Sequence, residues 1–148
     1  MKIEIENFML APASNYLYGL NLVRKQSRMR RKLIKLLNDR NEVYFEDRKA
    51  LQEDHANKDE EEKAIIKDGN YDIPDMVAFS NDLKELSKEK FVIEGSDNRE
   101  MIRTVKEVLK KFEDEEYEAQ ESDAYDYLCE AFKLDEGEDV NESDNNGN

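Results

Sequence analysis

Cys129 and His55, the residues best suited to nucleophilic and acid–base chemistry, each occur only once in the chain. A catalytic triad needs a nucleophile, a base and an orienting acid within hydrogen-bond distance of one another, and no spacing here indicates that group. Cys129 falls on the apolar stripe of a predicted helix, which indicates that it packs as a small hydrophobic residue. His55 lies among charged residues, so we expect it on the surface. The sequence predicts no catalytic residues, and we expect that the protein is not an enzyme.

Side chains that could bind a metal ion or a phosphate are few or show no pattern. One histidine and one cysteine are too few for an ordinary structural zinc site. The five glycines are scattered, so the sequence contains no glycine-rich phosphate loop. Residues 135–148 lack the order of ligands of an EF-hand, and no carboxylate pair stands out as that of a hydrolase. We therefore expect neither a metal nor a cofactor.

The charge of the chain is concentrated in its C-terminal quarter. Residues 113–148 contain fifteen acidic residues and one basic residue, Lys133, and carry the whole net charge of −14. Residues 1–112 contain 22 bases and 22 acids and are neutral. The acidic quarter is either a solvated tail or a negatively charged docking surface.

Two groups of charged residues are candidate surfaces for contact with another macromolecule. The candidate acidic surface, which resembles the spaced charges of a phosphate backbone and so suggests a DNA mimic, comprises Glu113, Asp114, Glu115, Glu116, Glu118 and Glu121. The candidate basic patch comprises Arg24, Lys25, Arg28, Arg30, Arg31, Lys32 and Lys35. The basic patch either pairs with the chain's own acidic helices or tail, binds a partner protein, or contacts nucleic acid. The negative total charge and the lack of interleaved aromatic residues argue against direct nucleic-acid binding.

Hydrophobic periodicity predicts an α+β fold that is mostly helical. The predicted helices are one after Pro12, a long one over residues 27–56, one after Pro74, one opened by a capping box of Asp97 and Glu100, and one over residues 119–132. Poor helix formers at residues 38–41 leave a break in the long helix open. Alternation in residues 2–8 and the apolar run 91–93 predict strands. Asp68-Gly69 predicts the turn of a hairpin. We expect four to five helices with a small antiparallel sheet or hairpin, and we place the terminal strand, the hairpin and the 91–94 run in a single sheet.

The domain organisation follows from where apolar residues stop. We expect one domain over residues 1–133 and a disordered acidic tail over residues 134–148, because the tail has almost nothing to bury. No stretch has the ~18–20 apolar residues of a membrane span, and the N terminus lacks the apolar stretch of a signal peptide. We expect no membrane association and a cytoplasmic location. Formation of a homo-oligomer is left open.

Several segments together resemble a family of small uncharacterised proteins, filed as a domain of unknown function, from tailed phages and prophages of Gram-positive bacteria. The resemblance covers residues 1–132 and is carried by the opening MKIEIEN, YLYGL from residue 16, SRMRRKLIKLL from residue 27, the acidic stretch from Lys58, and YDYLCEAF from residue 125. The connection over residues 22–26 departs from the family pattern because it lacks glycine, and the acidic tail is an addition. The resemblance implies a phage origin and genes near those for the tail tip and lysis, but no activity.

These observations predict a non-enzymatic phage accessory protein that acts by protein–protein contact in the host cytoplasm. Its specific form would be an acidic inhibitor or modulator of a host nucleic-acid-handling or defence protein. The alternative is a minor structural, tail-associated or assembly-chaperone protein of the virion. In either case the predicted partner is a host or phage protein.

Overall fold

A computed structural model describes residues 1–136 of the chain. Its elements in chain order are β1 (Ile3–Glu6), a 3₁₀ turn (Asn7–Met9), α1 (Leu10–Tyr18), α2 (Arg24–His55), β2 (Ile66–Lys67), β3 (Asn70–Tyr71), α3 (Met76–Lys88), β4 (Lys90–Ile93), α4 (Ser96–Lys111), α5 (Ala119–Ala131) and a 3₁₀ turn (Leu134–Glu136). The predicted class, a mostly helical α+β fold, is confirmed. The expected disordered tail lies outside the described residues except for Leu134–Glu136.

The core is built around α4, whose apolar residues recur at helical spacing. Met101, Ile102, Val105, Val108 and Leu109 are all buried. On the other elements, α1 contributes Leu10 and Leu17, α2 contributes Leu33 and Leu37, and α5 contributes Leu128. Strand β1 adds Ile3 and Ile5, which point inward because residues two apart share a face of a strand.

The predicted single sheet is wrong, because the structure contains two separate pairs of strands. Strand β1 pairs antiparallel with β4, with Ile3 opposite Ile93 and Ile5 opposite Phe91. The hairpin β2–β3 stands apart from this pair. The backbone of Asn57, just beyond α2, holds the hairpin: its N–H donates to the Asp72 carbonyl over 2.9 Å and its carbonyl accepts from Ile65 N–H over 2.8 Å.

The turn of the hairpin was predicted correctly from Asp68-Gly69. Both residues have positive φ, 53° and 83°, as a two-residue type I′ turn requires. Glycine meets this requirement without strain, and aspartate is among the residues that tolerate it best.

Helix α2 continues through residues 38–41, where the sequence leaves a break open. Tertiary hydrogen bonds support the helix at this point. Asn38 Oδ1 accepts from Ser14 Oγ of α1 over 2.9 Å, and Arg40 Nε donates to Asn7 Oδ1 over 3.3 Å. Asn38, which weakens the helix by its intrinsic propensity, therefore connects it to α1.

The predicted capping box at Asp97 and Glu100 is also wrong. Gly95, with φ of 99°, precedes the first residue of α4, so Asp97 lies inside the first turn and makes no capping bond. Helix α3 has the aspartate cap that the sequence analysis missed, since Asp75 Oδ1 accepts from Ala78 N–H over 3.0 Å.

Asn7 is the buried polar residue that joins most elements, being only 1% exposed. Its Nδ2 donates to the Leu86 carbonyl at the end of α3 over 3.0 Å, and its Oδ1 accepts from Arg40 of α2. Its backbone N–H donates to the Glu89 carbonyl over 2.9 Å. One side chain thus fixes β1 against α2 and α3.

We predict that Asn7→Ala lowers the free energy of unfolding by about 1–3 kcal/mol, because the two hydrogen bonds that its buried side chain makes to α2 and α3 are lost. Urea unfolding followed by circular dichroism measures the change. Asn21→Ala, at an exposed position, is the matched control and should change the free energy of unfolding by no more than about 0.5 kcal/mol. Equal stability of the two variants would contradict the role of Asn7.

Candidate functional site

Five of the six carboxylates of the acidic surface lie in the irregular connection between α4 and α5, not on a helix. Glu113, Asp114, Glu115, Glu116 and Glu118 are all exposed there, and Glu121 is exposed in the first turn of α5. Within residues 1–136, none of these six side chains forms an ion pair or a hydrogen bond. The structure therefore presents them to solvent without neutralisation.

Tyr117 lies in the middle of the acidic surface and holds the connection against the core. The Tyr16 hydroxyl of α1 bonds the Tyr117 hydroxyl over 2.7 Å. The Tyr117 ring lies 5.2 Å from the rings of both Tyr16 and Tyr125, measured between centroids. The Tyr125 hydroxyl donates to the Leu109 carbonyl of α4 over 2.8 Å. We call Tyr16, Tyr117 and Tyr125 the tyrosine cluster.

The surroundings of the tyrosine cluster favour the neutral, protonated form of its hydroxyl groups. Burial, followed by the hydrogen bond with Tyr117, raises the pKa of Tyr16 far above its usual value. Burial also raises the pKa of Tyr125, with a smaller contribution from its hydrogen bond with Cys129. A tyrosinate charge inside the cluster would be poorly solvated. The contacts that hold Tyr117 are therefore stable while Tyr16 and Tyr125 keep their protons.

Cys129 lies beside the tyrosine cluster and packs against the core, as predicted. Burial raises the pKa of its thiol, although the hydrogen bond with Tyr125 acts in the opposite direction. A raised pKa disfavours the thiolate, which is the nucleophilic form.

The basic patch divides into residues with different roles, and Arg30 is a structural one. Its guanidinium donates to the carbonyls of Leu17 over 2.9 Å and of Leu20 over 2.6 Å, with a longer contact to Tyr18. These carbonyls lie at and just beyond the C-terminal end of α1, where backbone acceptors lack helical partners and a cation is favourable. Arg30 therefore caps α1.

The three lysines of the patch bind oxygen atoms of the chain itself. Lys25 Nζ lies 2.8 Å from Glu100 Oε2 of α4, and this hydrogen bond holds the pKa of Glu100 below its usual value. Lys32 Nζ donates to the Asp97 carbonyl over 2.6 Å. Lys35 Nζ lies 3.1 Å from Asp39 Oδ2. Lys25 thus pairs with a carboxylate of the chain itself, on a helix that carries more bases than acids.

Arg24, Arg28 and Arg31 are the remaining members of the patch, and all three are exposed. As far as the structure describes the chain, their guanidinium groups have no ion pair or hydrogen bond. None of the three contacts the acidic surface, so the two candidate surfaces do not neutralise each other there. Pairing of the patch with residues 137–148 lies outside the described residues.

His55, which we expected on the surface, is only partly exposed. Its side chain is 19% exposed, and its Nε2 lies 2.7 Å from Asp82 Oδ2 of α3. Its ring also packs edge-on to Phe79, with centroids 5.6 Å apart. The histidine therefore joins the end of α2 to α3.

Two other features of the described residues bear on the site. Residues 1–136 contain no group of three or more histidine, cysteine or acidic side chains placed to hold a metal ion. Over the same residues, no helix combines the length and the apolar character needed to cross a bilayer.

Comparison with protein-family models, curated protein sequences and solved structures gives no match to this chain. A proposal about function therefore depends on the geometry and charge of these surfaces.

The tyrosine cluster generates a prediction about alkaline pH. A tyrosine whose pKa is raised in the folded state stabilises the fold fully below its unfolded pKa of about 10, and this contribution falls as pH rises above 10. We predict that unfolding becomes easier above about pH 10, and that Tyr16→Phe reduces this dependence. Urea midpoints at pH 8 and pH 11 measure it. Tyr18→Phe, at a 78% exposed position, should leave the difference between the two midpoints unchanged.

The division of the basic patch generates a second prediction. Arg30→Gln should lower the free energy of unfolding by about 1–3 kcal/mol, because charged hydrogen bonds to the end of α1 are lost. Arg31→Gln removes the same charge from an exposed neighbour and should change stability by less than about 0.5 kcal/mol. Thermal unfolding of both variants distinguishes the roles, and similar melting temperatures would show that Arg30 is not a cap.

Proposed function

We propose that this chain is a non-enzymatic accessory protein that docks onto a positively charged face of another protein through its acidic surface. One observation carries this proposal. Tyr117 is fixed in the tyrosine cluster, while the carboxylates on both sides of it are exposed and unpaired within residues 1–136. The chain therefore displays concentrated negative charge on a segment that is already held in place.

Preorganisation supports docking as the role of this segment. Ordering a loop at an interface costs free energy that subtracts from affinity. Here the contacts of Tyr117 with α1 and α5 order the connection before any partner arrives. A free acidic tail has no such anchor, and solubility alone does not require one.

The chemistry of the acidic surface indicates the class of partner. Closely spaced carboxylates attract a basic face and accelerate its encounter, and the proteins that bind nucleic acid carry such faces. We propose a host nucleic-acid-handling or defence protein, in agreement with the phage origin that the family resemblance implies. The place of action would be the host cytoplasm.

Neutralising the acidic surface should weaken this interaction mainly by slowing association. We predict that changing Glu113, Glu115, Glu116 and Glu118 to Gln lowers the association rate by about tenfold or more at low salt, because diffuse charge chiefly steers encounter. The wild-type rate should fall steeply with added salt, since the screening length shortens to about 8 Å at physiological ionic strength. Proteins captured from a Gram-positive host lysate on the wild-type chain supply the partner for surface plasmon resonance.

The matched control carries the same four charge changes elsewhere on the chain. Glu42, Glu46, Glu60 and Glu62 are exposed, and their change to Gln should leave capture and association near the wild-type level. A partner that binds the wild-type chain, the acidic-surface variant and the control variant equally, at every salt concentration, would overturn docking through the acidic surface. The apolar helix faces would then be the region to test.

A further inference from the structure

A cleft of about 460 Å³ opens between the start of α1 and the start of α5, next to the acidic surface. One wall is mostly apolar and comprises Met9, Ala11, Pro12 and Tyr16. The other wall carries the carboxylates of Glu121 and Asp123. Its volume falls within the range of sites that bind small ligands or single side chains.

The described residues that line the cleft carry only negative charge. Among them there is no lysine or arginine, and neither carboxylate has an ion pair or a hydrogen bond with another described residue. An anion would be repelled by these carboxylates. A purely apolar group would remove water from them without giving them a partner, which is costly. The complementary occupant has an apolar stem and a cationic end.

The cleft is continuous with the acidic surface through two residues. Glu121 belongs to both, and Tyr16, which lines the cleft, bonds Tyr117 in the middle of the acidic surface. A basic segment attracted to the acidic surface therefore arrives beside the cleft.

We propose that the cleft binds the side chain of one arginine or lysine from the partner protein. The methylene stem packs on Ala11, Pro12 and Met9, and the charged end meets Glu121 and Asp123. Long cationic side chains commonly bury their stems in this way while the charge remains at a polar edge. This inference rests on the proposed function. The acidic surface speeds the encounter with the partner, which we call steering, and the cleft holds one cationic side chain, which we call seating.

The length of the cationic side chain tests the proposal with the full chain. The probes are four fluorescein-labelled nine-residue peptides, each with three identical cationic residues spaced by Gly and Ser: arginine, lysine, ornithine or 2,4-diaminobutyrate. All four have the same charge. Lysine, ornithine and 2,4-diaminobutyrate share the ammonium group and have progressively shorter stems, whereas arginine has the stem of ornithine with a guanidinium group. At low salt, fluorescence anisotropy should show the lysine peptide binding several-fold more tightly than the diaminobutyrate peptide, because each buried methylene contributes up to about fourfold in affinity.

Two variants separate seating from steering. Ala11→Leu fills the cleft without a change of charge and should abolish the preference for long stems. Glu121→Gln with Asp123→Asn should weaken that preference, whereas Glu115→Gln with Glu116→Gln removes the same charge outside the cleft and should lower affinity for all four peptides equally. Circular dichroism establishes whether each variant is folded. If Ala11→Leu does not fold, the double variant Glu121→Gln with Asp123→Asn still tests the proposal.

The outcomes distinguish this inference from the proposed function. Equal affinity of the wild-type chain for all four peptides would overturn seating in the cleft but leave acidic docking intact. Absence of binding to every cationic peptide, together with no capture of a basic protein, would overturn both.

Discussion

A shortage of apolar side chains is the constraint on which the rest of this structure depends. Only 38% of the residues are hydrophobic, whereas 41% are charged, so the apolar residues must be concentrated where several elements can share them. Helix α4 meets this requirement because five of its sixteen residues are buried apolar side chains. Helices α1, α2 and α5 and strand β1 each contribute a few side chains to the same core cluster. The outer faces of the helices are consequently left to charge.

Specific polar contacts supply the connections that a small core cannot. Asn7 joins β1 to α2 and α3, Arg30 joins α2 to the end of α1, and Ser14 joins α1 to Asn38. The tyrosine cluster has the same role for the C-terminal part of the described chain. It joins α1 to α5 and to the connection between α4 and α5. Such bonds fix relative positions because a buried polar group without its partner is costly.

The helices and the hairpin turn were predictable from local pattern, since apolar spacing and Asp-Gly act within a few residues. The pairing of β1 with β4 was not, because it joins four-residue strands almost ninety positions apart. Tyr117 was missed as an anchor because acids surround it on both sides. The structural role of Arg30 was missed because it is one of seven bases in the basic patch. Its spacing was nevertheless informative: Arg30 precedes Leu33 by three residues and Leu37 by seven, which places it on the buried face of α2. Charge counts describe a segment, and only the helical phase shows which of its side chains face inward.

The continuity of α2 has a consequence for how the molecule opens. Its 32 residues span about 48 Å; the N-terminal half packs with α1 and α4, and the C-terminal half with α3 and the hairpin. The end at His55 cannot separate from the rest without interrupting hydrogen-bonded helix in mid-course. A helix that is re-formed from a break must be nucleated again, which is unfavourable. We therefore expect the two halves of the molecule to open together, and amide hydrogen exchange at α3 should then follow the opening of the core more closely than its few buried residues suggest.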